Sequence, residues 1–159
     1  MNGQQDTKKG FTIIEVVLVL AIAGLIFLMI FIAWPALQRS QRDTGRKNDV
    51  DVVAAALGAF RGNNRGKNPN SDQIPSFRDS YISDLGQYDK TDDAEVIIGE
   101  GTIGFPNEKK FREMHVNIGT KCDADNKSTA EGASSRQASI VIRVEGGNPT
   151  NGVLQCKDA

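Results

Sequence analysis

From Val16 to Leu37 this chain carries 22 consecutive residues without a charged side chain. At about 1.5 Å per residue such a helix reaches roughly 33 Å, enough to cross a hydrocarbon layer about 30 Å thick. Beyond Gln38 the pattern changes from uniformly apolar to one-sided. Val50, Val53, Leu57 and Phe60 recur at helical spacing and form one stripe, with Arg46, Lys47, Asp49 and Asp51 around it. The pattern predicts one helix from Thr12 to Arg61, weakened by Gly45 and Gly58 and ended by Gly62-Asn63-Asn64, Gly66 and Pro69.

Residues 62 to 93, rich in Gly, Asn, Asp, Ser and Pro, read as a long connecting loop with a short helix near Phe77 to Leu85. Period-two patterns follow. Ala94 to Ile98 is a compact apolar run; Met114, Val116 and Ile118 alternate with Glu113, His115 and Asn117; Ile140, Ile142 and Val144 alternate with Val141, Arg143 and Glu145. Gly152 to Cys156 is a shorter candidate. Together they predict an antiparallel sheet with one face against the helix stripe, hence an α+β fold.

Composition adds limits. The 159 residues suit one domain, and a net charge of −1 gives no global pull toward nucleic acid or acidic lipid. A mean hydropathy of −0.34 is low for a chain with such a span, so the part after Leu37 is strongly polar. The apolar run exceeds the roughly 7 to 15 residues of a secretory signal, and no Ala-x-Ala-like exit follows it. An uncleaved signal anchor is the plain alternative. Glu15 does not fit it well: an ionised carboxylate in such a span costs about 2.5–3.5 kcal/mol at mid-bilayer and less near the edge.

The run Lys8-Lys9-Gly10-Phe11-Thr12-Ile13-Ile14-Glu15 resembles the processing signal of the type IV prepilin family, which includes pilins and the related pseudopilins. The resemblance covers the leader and the first 25 or so residues after it. It implies a basic leader, residues 1–10, cut between Gly10 and Phe11 by a prepilin peptidase that also N-methylates Phe11. It implies that Glu15 and the new Phe11 amine serve assembly. Gly24 stands where the family often has glycine, whereas Pro35 lies three residues beyond the family's usual helix proline. Unwinding between Gly24 and Pro35 in a filament, seen in some relatives, is the corresponding expectation. The leader-inside orientation also rests on the resemblance, because Arg39, Arg42, Arg46 and Lys47 follow the span while Lys8 and Lys9 precede it.

The resemblance implies a pilin fold: a long N-terminal helix whose first half crosses the membrane and whose second half packs on a small sheet. Residues 11–37 would form the transmembrane and filament-core helix, 38–61 its amphipathic half, 62–93 the connecting loop, and 94–159 the sheet and a disulfide-closed C-terminal region. Cys122 and Cys156, the only cysteines, would then face an oxidising compartment, where a disulfide is favoured over a metal site. Two reduced thiols are the alternative. A bond closing about 35 residues stabilises by roughly 4 kcal/mol on the chain-entropy model.

Other chemical signals are weaker. Gly99-Glu100-Gly101-Thr102-Ile103-Gly104 satisfies a Gly-x-Gly-x-x-Gly spacing, yet Phe105-Pro106-Asn107 follows where a dinucleotide site needs a helix. Asp123, Asp125 and Asn126 start like a calcium loop, but Lys127 and Ser128 replace a ligand and the turn glycine. Asn126-Lys127-Ser128 is a glycosylation sequon. His115, the only histidine, reads as a surface or edge residue, since no nucleophile motif accompanies it. Lys109, Lys110 and Arg112, and Arg61, Arg65 and Lys67, form basic patches that suit solvated faces or, multiplied along a polymer, DNA or surface adhesion. No metal or other cofactor is expected, and no enzymatic activity.

The expected function is that of a structural subunit, held in the cytoplasmic membrane as a single-pass precursor and polymerised with copies of itself into an extracellular type IV pilus. Its partners would be the peptidase and methylase, the pilus assembly platform and its ATPases, and the membrane, with host-surface or DNA contact through the filament. Adhesion, twitching motility and DNA uptake all fit. A pseudopilin of a type II secretion-like system is the alternative.

Overall fold

A computed structural model describes residues 10–82, 85–88, 95–107, 111–130, 132–146 and 150–159. Two compact units divide at Gln38 and Arg39. Helix α1, Ile13–Asn63, contributes to both. In the first unit the large apolar side chains from Ile13 to Leu37 are exposed and the helix has no buried residue.

In the second unit α1 turns its stripe inward: Val50, Val53, Leu57 and Phe60 are buried. The helix ends two residues later than the composition predicts. Arg65 and Gly66 both take positive φ, and the Gly66 N–H returns to the Arg61 carbonyl at 2.8 Å. That reversal closes the last turn with a left-handed cap. Helix α2, Ile74–Tyr81, begins and ends earlier than the segment predicted near Phe77 to Leu85, because Pro75 sets its first turn. Phe77 meets Phe60 edge-on at 5.4 Å and stacks on Tyr81 at 5.7 Å, closing one end of the core.

The sheet contains β1 (Glu95–Glu100), β2 (Glu113–Ile118), β5 (Ala138–Val144) and β6 (Val153–Asp158), in the order β1-β2-β5-β6. A separate short hairpin joins β3 (Lys121–Cys122) and β4 (Ser128–Thr129). The expected α+β order of a long helix with an apolar start and then a small, mainly antiparallel sheet is what is observed. The β1–β2 pair departs from that rule: it is parallel, with Val96 opposite Met114. A parallel pair needs a crossover in place of a hairpin. Residues 101–107 belong to that crossover and hydrogen-bond to the sheet: Ile103 N–H donates to Asn117 Oδ1 at 2.8 Å, and Arg143 donates to the Pro106 carbonyl.

The central strands are covered on both faces. Every residue of β2 and β5 is buried. Met114, Val116, Ile140 and Ile142 join the core with the α1 stripe. On the opposite face His115 is buried in a central strand, not at a surface or edge, with Glu113 3.6 Å away. There Asn117, Ser128, Ser139 and Thr120 form a chain of 2.7 Å hydrogen bonds that fastens the hairpin to the sheet. Buried polar groups persist because each finds such a partner.

Two charged residues expected around the α1 stripe are also buried. Asp49 accepts the backbone N–H groups of Gly86, Gln87 and Tyr88 at 2.6–3.1 Å, tying the connecting loop to the helix. Burial pushes the Tyr88 phenol up. Arg46 pairs with Asp43 at 2.6 Å and Glu145 at 3.2 Å, and lies over the Phe111 ring. Asp43 in turn accepts the N–H groups of Glu145 and Gly146 at 2.8 Å. Arg42 grips Glu145 with two 2.8 Å hydrogen bonds, which hold that carboxyl below its usual range. The connection toward β6 is thus fixed to the helix. It also requires Gly152: with φ 62°, a Cβ there would stand 2.4 Å from Phe111 and 2.5 Å from the Val144 carbonyl.

Candidate processing and assembly site

The candidate site begins where α1 begins. Gly10, Phe11 and Thr12 precede the helix, and Phe11 is 90 % exposed, so the Gly10–Phe11 peptide is open to an enzyme. Residues 1–9, with Lys8 and Lys9, lie outside the described residues. Thr12 occupies the position before the first helical residue. Its backbone N–H donates to Glu15 Oε2 at 2.8 Å and its hydroxyl to the same oxygen at 2.7 Å, while Glu15 N–H approaches the Thr12 hydroxyl at 3.4 Å. This is a reciprocal capping box, in which a Thr and a Glu three residues on satisfy each other's end of the helix.

The capping box changes the chemistry read for Glu15. Where the spacing points to a partner in another molecule, within a single chain the carboxylate already takes two hydrogen bonds. Thr12 was the residue overlooked. Its signal was available: Thr12-Ile13-Ile14-Glu15 followed by an apolar run is the pattern of such a box. The acid also stands in the first turn of α1, where the helix dipole favours negative charge.

Further along, Gly24 has no heavy atom within 4 Å of where a Cβ would stand, leaving room for close approach by another chain. Pro35 lies inside α1, which remains assigned as helix through it. A proline there removes one backbone hydrogen bond. Cys122 and Cys156, in the other unit, are joined to each other, with Cα atoms 5.6 Å apart. The bond ties β3 to β6, and Cys122 N–H donates to Asp158 Oδ1 at 2.7 Å beside it.

The remaining candidates sort into structural roles. The glycine-spaced run leaves β1 and enters the crossover, with no helix after it among the described residues. Asp123 Oδ1 accepts the N–H groups of Asp125 and Lys127, which shapes the β3–β4 turn. Ser128 of the sequon has its hydroxyl buried between Asn117 and Ser139. Lys109 and Lys110 lie outside the described residues.

Helix α1 is long and apolar enough to cross a membrane: an 18-residue window has mean hydropathy 3.2, none of it buried. The prokaryotic N-terminal methylation motif, the class III leader of type IV pilins, matches residues 6–31, covering both the open peptide and the capping box. No curated protein and no solved structure matches the chain.

Proposed function

We propose that this chain is a structural subunit of the pilin kind, anchored in the cytoplasmic membrane with its leader inside and later polymerised into a surface filament. The observation that carries this is the coincidence of the methylation motif with an apolar helix segment that its own fold leaves wholly uncovered. Exposed apolar surface of that size needs either lipid or other copies of the same helix.

Processing would cut between Gly10 and Phe11 and methylate the new Phe11 amine. In the membrane, Thr12 satisfies Glu15 locally. In a filament the Phe11 amine of a neighbouring copy competes for the same carboxylate, and a single polar pair in an apolar bundle penalises every stagger that leaves it unmatched. Gly24 and Pro35 mark where the helix would yield during that packing. Attachment, twitching motility and DNA uptake are functions of the whole filament. The cleavage and assembly steps belong to a peptidase, an assembly platform and ATPases, so the subunit itself needs no catalytic group.

The motif is common to pilins and pseudopilins, so a periplasmic piston of a type II secretion-like system is the second reading. Sheared surface material separates the two: a pilin is recovered there as a filament subunit, and a pseudopilin is not. The mass of the mature N-terminus tests processing, and a chain that keeps Met1 in the assembled state overturns both readings.

A further inference from the structure

Four cations follow the apolar run, and the structure separates them. Arg42 is committed to Glu145 through Nε and Nη2, and Arg46 to Asp43, Glu145 and the Phe111 face. Arg39 and Lys47 make no hydrogen bond or ion pair among the described residues. Asp43, one helical turn from each, is engaged by Arg46 and two backbone N–H groups, and Asp51, one turn past Lys47, pairs with Lys157.

Distance along the helix decides between the two free cations. At 1.5 Å per residue, Arg39 lies about 3 Å past Leu37 and Lys47 about 15 Å past it, while the polar layer on each side of a bilayer is roughly 5–7 Å thick. Only Arg39 falls within that layer. Trp34, the only tryptophan, is 58 % exposed and stands just before the end of the apolar run, where an aromatic ring favours the same interface. A guanidinium presents a planar fork that matches phosphate oxygens in pairs.

We infer that Arg39 binds the phosphate of an anionic phospholipid and thereby fixes the depth at which α1 is held before assembly. The inference rests on the membrane-anchored reading. It gives three of the four cations two tasks: Arg42 and Arg46 bind the fold together, and Arg39 holds the lipid.

The test uses the full chain in vesicles of phosphatidylcholine, with and without phosphatidylglycerol. Trp34 fluorescence and its quenching by lipids brominated at different acyl positions report depth. Adding phosphatidylglycerol should draw wild-type Trp34 toward the surface by about 3 Å, two residues of helix, an effect lost in high salt. Arg39→Gln should abolish that shift, and Lys47→Gln should keep it. An Arg39→Gln chain that shifts like wild type, or a wild type indifferent to phosphatidylglycerol, overturns the lipid assignment and leaves the anchor reading standing. Equal loss in Lys47→Gln overturns it too, by making the attraction diffuse. A Trp34 that no brominated lipid quenches sinks the anchor reading itself, and this inference with it.

Discussion

Thr12 and Glu15 close on each other at the mouth of α1: one carboxylate oxygen receives both the backbone N–H and the hydroxyl of the threonine. A lone acid next to an apolar span therefore has a partner before any second chain arrives. Replacing Thr12 with Ala should weaken the first turn by about 1 kcal/mol, the usual cost of losing such a cap. Hydrogen exchange of the amides at 13–16 in micelles should accelerate, and Thr12→Ser should restore protection. Unchanged exchange in the Ala variant would mean that the box is not formed in the membrane-mimetic state.

The Asp49 carboxylate supports three loop amides. Asp49→Ala leaves those N–H groups without their acceptor and should destabilise the fold by about 2–3 kcal/mol. Denaturant midpoints of the full chain in detergent would show it, with Asp49→Asn intermediate.

Glu145 gives the fold an acid limb. Arg42 is the largest cause of its depressed pKa, followed by opposing desolvation and then Arg46. An acid with a lowered folded-state pKa stabilises the fold above its unfolded value, near 4.3, and that gain is lost as pH falls through the folded value. Stability should therefore decline on acidification below about pH 4. Glu145→Gln should start less stable at neutral pH and show a flatter decline, readable from melting curves across pH.

Cys122 and Cys156 close a sequence separation of 34 residues. Removing both sulfurs as Ser should cost about 3–4 kcal/mol on the chain-entropy model. Denaturation of the double variant should show that loss against the oxidised wild type and a midpoint that agrees with the reduced wild type.

The α1 stripe and the inward half of the sheet were legible because periodicity records a single apolar face: Val50, Val53 and Leu57 on the helix, Met114 and Val116 on the strand. Strand direction was not. Alternation in β1 and β2 is the same whether they run parallel or antiparallel, so the crossover over His115 left no periodic trace. The burial of Arg46 and Asp49 was equally hidden, since their partners at 145 and 86–88 are brought near only by the fold. At the candidate site the reverse held. Gly10, Phe11 and Glu15 stood out locally, and even the overlooked Thr12 lay only three residues from its partner.

The register of the sheet also orders events in time. β5 and β6 are antiparallel neighbours joined by residues 145–152, so their partners lie 9 to 19 residues apart, whereas β2 meets β5 across 20 to 28 residues. Contacts that close larger loops form later and more slowly. On this basis the β5–β6 pair is expected to gain protection first and the β2–β5 ladder last, which pulsed hydrogen exchange during refolding would reveal. A refolding chain would then pass through an interval in which β5 still lacks β2 and keeps an edge open to strands of neighbouring copies.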